Sequence, residues 1–344
     1  MTSQSLKENC SLINEEIDLN FSKIEDRVTN SKFNLEKVLE VYDGYQKSLD
    51  EYTQFEKKVK EATENDDKAP SFDFDPNPIV LNPNEINRFL QMYDDFEGSV
   101  FHWAMISEYL KKLVRKSYCA GNNDFYFESD KIKSFPDFLS YLSGAKINPF
   151  NICIKGDIGN LAFFNTYHVN LLIKGNVGND FGSCSSNINA KIKGNVGKKA
   201  CEASENAIIY VKGDVSYNFG KNSMDLITII DGNVKESFGY SSRRLFAEIT
   251  GDADGCFAQY SKSLKAKVLG NIDDYGFFEC SRSSELKLTN MDQIFQVKKD
   301  LKRSGSIPIW QFNNRLNKLI FVYDSGFENK IVGFRYNASY YRRV

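Results

Sequence analysis

Histidine and tryptophan are scarce in this chain, two of each among 344 residues, and proline is held to seven. With imidazole only at His102 and His168, a histidine-rich metal centre is excluded, and a Ser-His-Asp or Cys-His arrangement has little to draw on. The cysteines (Cys10, Cys119, Cys153, Cys184, Cys201, Cys256 and Cys280) are odd in number and form no C-x-x-C pair, so their spacing suits neither a zinc site nor a disulfide framework. No run of about 18 apolar residues is present, which predicts no transmembrane helix. The opening MTSQSLKENC lacks the apolar stretch of a signal peptide. Acidic and basic side chains nearly cancel at 46 and 44, so no global field favours nucleic acid or a membrane surface. These absences predict a reducing, cytoplasmic setting without membrane, metal or cofactor.

What is plentiful is phenylalanine (27) and tyrosine (18), a balance that favours β-rich packing over disorder. Glycine recurs every 19 residues, at Gly156, Gly175, Gly194, Gly213, Gly232, Gly251 and Gly270. An acid or amide follows each one: Asp157, Asn176, Asn195, Asp214, Asn233, Asp252 and Asn271. Next comes a small apolar residue (Ile158, Val177, Val196, Val215, Val234, Ala253, Ile272), and two positions before each glycine stands Ile or Val. Six positions past it come Ala162, Phe181, Ala200, Phe219, Phe238 and Phe257; ten past it come Thr166, Ser185, Ser204, Ser223, Ser242 and Ser261.

Such a unit predicts a mainly-β solenoid of seven or eight stacked coils over 149–292, each residue about 4.8 Å above its equivalent. A helical repeat would need about 33 residues or more per unit. Gly-Asn and Gly-Asp are expected to supply left-handed corner conformations, with Asn side chains bonding along their column. SSELKLTN (283–290) reads as a decayed eighth coil.

The coil pattern, best seen in IKGNVGNDFG (173–182), resembles the glycine-motif (GXGXG) repeat shared by two kinds of enzyme over about residues 151–290. One is glutamate synthase, in the C-terminal domain of its large subunit; the other is formylmethanofuran dehydrogenase, in one of its smaller polypeptides. The resemblance implies a right-handed, single-strand parallel β-helix that structures a larger redox enzyme and carries no catalytic residue. The motif's second glycine stands at Gly159, Gly178 and Gly197 and gives way to Ser216, Lys235, Asp254 and Asp273. Bactofilins and the β-helical domain of a bacterial division inhibitor use similar coils, and those are assembly proteins.

Upstream, residues 1–66 carry a heptad pattern. Position a holds Asn14, Phe21, Val28, Leu35, Tyr42, Leu49 and Glu56; position d holds Cys10, Ile17, Ile24, Ser31, Val38, Tyr45, Tyr52 and Val59. This predicts an α-helical coiled coil, or a hairpin broken at Thr29-Asn30-Ser31. Pairing between chains is the expected use of the seam, and packing on the solenoid is the alternative. An acidic proline-containing linker (67–82) leads to a helical cap (83–148), with helices at about 83–97, 100–119 and 134–144. The first is announced by Asn82 as N-cap, Pro83 and Glu85. A C-terminal cap (293–344) contains a β-hairpin at 318–336.

No catalytic, cofactor or metal site is expected. His102 lies in the apolar helix VFHWAMI and His168 in a variable part of the first coil. A serine in every coil is a column that obeys stacking rather than a set of nucleophiles. Asn at four of seven acidic corners argues against a calcium ladder. One outward row stands apart as a candidate docking stripe: Lys155, Lys174, Lys193 and Lys212, continued by Asp231, Thr250 and Leu269. It suits an acidic partner, a phosphate-rich ligand or the acidic linker; the plainer reading is a solvated lysine face that also discourages edge pairing. KKDLKR (298–303) and YYRRV (340–344) are too short to indicate nucleic acid, and no small-molecule substrate is evident. The reading is a non-catalytic structural or assembly protein that self-associates or binds a protein partner. The alternative is an accessory subunit of an oxidoreductase complex. A free-standing polysaccharide-active enzyme comes third, since it needs carboxylates clustered outside the repeat.

Overall fold

In the computed structural model of the chain, residues 21, 23–64, 78–92, 100–272, 285–288, 310–313, 318–324 and 331–333 are described. The chain forms a parallel β-solenoid of about seven turns. Its strands are β1 (Asp124–Glu128), β2 (Phe150–Lys155), β3 (Tyr167–Ile173), β4 (Ser186–Ile192), β5 (Glu205–Val211), β6 (Met224–Ile230), β7 (Phe246–Ile249), β8 (Lys265–Val268) and β9 (Glu285–Leu288). Each pairs in parallel with the next, and from β2 to β8 equivalents such as Ile173 and Ile192 lie opposite one another. The pairing slips by one residue at β9, where Glu285 faces Lys265. There the parallel stack stops, because β11 (Lys318–Asp324) lies antiparallel to β9 and itself pairs with β10 (Trp310–Asn313) and β12 (Ile331–Gly333).

Stacking explains which residues recur. The apolar residue after each corner, from Ile158 to Ile272, is buried and bridges to its neighbours above and below. Phe219, Phe238 and Phe257 stack face to face at 5.6 and 5.3 Å. The corner works differently from expectation. Among its glycines only Gly156 has a positive φ, and its Asn and Asp residues have none. The glycine is needed for space: a Cβ on Gly175 would lie 2.3 Å from the Gly156 carbonyl oxygen, and one on Gly232 2.4 Å from that of Gly213. The side-chain oxygen beside it accepts the backbone N–H of its equivalent one coil on, at 2.7–2.8 Å from Asp157 through Asn271. Amide-to-carboxylate bonds along the column also form, from Asn176 to Asp157 and from Asn233 to Asp214, both at 3.1 Å.

The left-handed residues follow the corner, at four positions per coil from Leu161 to Ser263; between β3 and β4 they are Asp180, Gly182 and Cys184, with Asn187 inside β4. Alternating handedness turns their N–H groups along the stack, so that Asp180 donates to the Lys198 carbonyl and Cys184 to that of Glu202, both at 2.8 Å.

The stack begins earlier than residue 149. Asp124 to Glu128 pair in register with Asn151 to Lys155, so part of the expected helical cap is a first, longer coil. The helix expected at 134–144 is absent: Asp137, Leu139 and Tyr141 are left-handed, and only Ile132–Ser134 makes a 3-10 turn. Phe135, Phe138 and Leu142 mimic helical spacing but are buried in the solenoid core.

Among the described residues, four helices precede the solenoid: α1 (21 and 23–29), α2 (Leu35–Glu64), α3 (Pro83–Gln91) and α4 (Val100–Cys119). Asn82 and Glu85 form a capping box on α3, and Glu85 also accepts the Asn34 N–H at 2.9 Å, tying the start of α2 to α3. Next to it, the Asn87 side chain accepts the Glu128 N–H at 3.0 Å, closing part of the β1 edge. Part of the described heptad seam is buried inside the chain, while Leu35 stays exposed and Tyr42, Tyr52 and Val59 are half-buried. Val38, Tyr45 and Leu49 are buried on α3 and α4, where Tyr45 meets Phe89 and Tyr109 edge-on. Phe21, Ile24 and Val28 are buried on the solenoid. Within the chain these residues take the alternative use, packing on the helices and the solenoid. Cys10, Asn14, Ile17, residues 67–77 of the linker, and both basic stretches lie outside the described residues.

Candidate interaction surface

Most repeated polar side chains are committed to holding coils together. Thr166, Ser185, Ser204, Ser223, Ser242 and Ser261 are buried. Ser204 and Ser223 donate to the carbonyls of Cys201 and Gly220, three residues back, at 2.8 and 2.6 Å, while Ser185 donates to Phe163 of the coil before at 2.9 Å. A hydroxyl so placed closes its arc and is out of reach of any substrate. A second ladder runs outside the strands, from Asn189 to Asn170 to Asn151 to Asp124, with bonds of 2.8–2.9 Å.

The lysine row lies on the flank, as alternation with the inward Ile and Val demands. Lys155 pairs with Glu128 of the first coil, and Lys174 with Glu25 of α1, so half the row already meets acid. Lys193 and Lys212 are exposed, one and two coils further on. Beside the row, Tyr126, Cys153 and Leu172 point outward from β1, β2 and β3 and are buried under Phe21, Ile24 and Val28. Arg27 of α1 pairs with Asp124 at 2.8 Å, which sets the helix across the first three strands.

Electrostatics follow from these contacts. The hydrogen bond from Lys174, helped by Tyr126, holds Glu25 below the usual carboxylate range despite partial burial. Lys155 does the same for Glu128, which also accepts the Tyr126 hydroxyl at 2.9 Å. Burial pushes the Cys153 thiol up to about 11. Glu25, Glu128, Tyr126, Cys153 and Leu172 carry no signature in the repeat, and sequence reasoning missed them. Their one signal is that Glu25 adjoins the seam residue Ile24 while lysines recur at 19-residue spacing.

The remaining candidates do not converge. His102 lies in α4, where its carbonyl accepts the Tyr45 hydroxyl at 3.4 Å, and His168 holds a left-handed arc position. Among the described residues, no three His, Cys, Asp or Glu side chains gather to hold a metal, and no helix is long and apolar enough to cross a membrane. Cys119, Cys153, Cys184 and Cys201 are free thiols. No protein-family model, no curated protein and no solved structure matches the chain.

Proposed function

We propose that this chain is a non-catalytic structural protein whose solenoid flank is a docking surface for a protein partner. The carrying observation is the division of its polar side chains. Those repeated in every coil are buried or bonded from coil to coil, whereas the lysine row faces outward and already takes an acidic residue of α1. The pairing at both ends supports docking on the flank rather than end-to-end growth, since α3 meets β1 and β11 turns antiparallel on β9. The free thiols suit a reducing, cytoplasmic setting.

A second reading, an accessory subunit of an oxidoreductase complex, is favoured by the second glycine of the motif. A Cβ on Gly178 or Gly197 would lie 2.5–2.6 Å from the backbone carbon of the glycine below, so in these coils the feature shared with the glycine-motif repeat serves close stacking. Gentle affinity purification from the native cell, with mass spectrometry and a visible spectrum of the eluate, separates the two. A colourless eluate with structural partners supports the scaffold. Redox subunits with flavin or iron–sulfur absorbance replace it with the second reading.

A further inference from the structure

We infer that Arg243 and Lys262 form a receptor for a phosphorylated serine or threonine side chain of a partner protein. The pair lies on the connections between β6, β7 and β8, outside the lysine row, so the site goes beyond the reading above and stands without it.

Charge in the later coils follows a rule with one exception. Over residues 213–269, three columns place opposite charges on successive coils and pair them: Lys235 with Asp254 at 2.9 Å, Arg244 with Asp225, and Lys267 with Glu248 at 2.7 Å. In the column beside Arg244 the successive residues are Arg243 and Lys262, the only like-charged equivalents in this span. They bridge to one another in the parallel stack, about 4.8 Å apart. Both are exposed, and among the described residues neither makes an ion pair. Stacking does not impose a cation here, because earlier coils hold Tyr167, Ser186, Glu205 and Met224 at the same position. Two adjacent cations repel, so an anion that bridges them gains from both and also relieves the repulsion.

The backbone under the pair is fixed. Arg243 donates its N–H to the Ser223 carbonyl and Lys262 to that of Ser242, both at 2.8 Å, so an incoming anion has only two side chains to order. Tyr240 and Tyr260 meet edge to face at 5.3 Å on the same connections, and Lys221 lies 5.7 Å over the Tyr240 ring. They offer an amphipathic wall to the residues beside the anion. The extent of the site selects its ligand. Toward β5 the column passes to Met224 and then to the acid Glu205, so the cations do not continue as a nucleic-acid backbone would need. One dianion fits better. The guanidinium fork takes two phosphate oxygens and the ammonium a third, whereas a carboxylate, with a single charge, leaves one cation unmatched.

The test immobilises the full chain and offers it a library of short peptides with a central phosphoserine or phosphothreonine, beside the same library without phosphate. The phosphorylated library is expected to be retained at least about tenfold better at neutral pH. Retention should fall as pH drops through about 6, where the phosphate loses its second charge. Arg243→Ala/Lys262→Ala, which changes two exposed side chains, should fold as the wild type does by circular dichroism and lose the preference. Lys57→Ala/Lys58→Ala removes as much charge from the exposed face of α2 and should keep it. Equal retention of the two libraries overturns the inference. So does a preference that survives Arg243→Ala/Lys262→Ala, or one that is lost as fully in Lys57→Ala/Lys58→Ala. A single-stranded oligonucleotide that displaces the phosphopeptides and binds more tightly overturns it in favour of nucleic acid. Each of these failures leaves the lysine row and the scaffold reading to the native purification, which tests them independently.

Discussion

At the residue scale, the corner column shows a rule beyond the choice of Asn or Asp. No two Asp are adjacent in it: Asp157, Asp214 and Asp252 are each separated by Asn. Every member must offer an oxygen to the next coil's N–H, which either residue does, but neighbouring carboxylates about 4.8 Å apart repel. Asn233→Asp would keep the acceptor for Asp252 and place three carboxylates in succession. It is expected to cost about 1 kcal/mol at neutral pH and low salt. The penalty requires the three carboxylates to be charged and is screened by salt. Thermal unfolding at pH 7 and pH 3.5, with and without salt, checks this. The left-handed positions obey a second rule. None of their side chains is Val, Ile or Thr, the residues with the steepest penalty there. At Ala203, left-handed at φ 54°, Gly is expected to stabilise by about 0.5–1 kcal/mol and Val to destabilise by about 1–2 kcal/mol, read from denaturant midpoints.

At the element scale, α1 depends on three apolar side chains and two ion pairs. Glu25 is held below its ordinary pKa by the Lys174 hydrogen bond, so its contribution is present above the unfolded value near 4.5 and is lost as pH falls through the lowered folded value. Glu25→Gln is therefore expected to be less stable than the wild type by about 0.5–1 kcal/mol at pH 7, after allowance for solvent screening. The two proteins should converge near pH 3; unfolding curves that stay apart there would place the effect elsewhere. The helix α2 illustrates what a pattern leaves open. Its seam residues Val38, Tyr45 and Leu49 are legible as a heptad, yet periodicity specifies only that a face is buried, and α3 with α4 covers it.

At the scale of the whole molecule, the stack is quasi-one-dimensional, since each coil touches only its neighbours. Interior coils have two neighbours, so hydrogen exchange is expected to be slowest in β4 to β6 and faster toward β8. Phe238→Ala, which removes the middle ring of the phenylalanine stack, should cost about 3–5 kcal/mol. With Phe21, Ile24, Val28, Val38, Tyr45 and Leu49 of the seam buried within the chain, sedimentation at micromolar concentration is expected to give the mass of one chain. A dimer lost on deleting residues 1–66 would instead restore the coiled coil.

What the sequence determined by itself is the solenoid, its register and its core columns. A 19-residue period written seven times forces each residue onto its own equivalent, and Gly156 through Gly270 align without an insertion. The first coil escaped because three extra residues around Ile132 and the insert near Ile147 break the period, and its Phe135, Phe138 and Leu142 repeat at helical spacing. Tertiary structure alone decided what the glycines are for, since their need comes from the carbonyl of the coil below rather than from local conformation. It likewise decided that α1 lies across β1 to β3 and brings Glu25 to Lys174 from 149 residues away. A periodic pattern encodes contacts between like positions; a contact between unlike elements depends on the path the chain takes between them, and no spacing records that path.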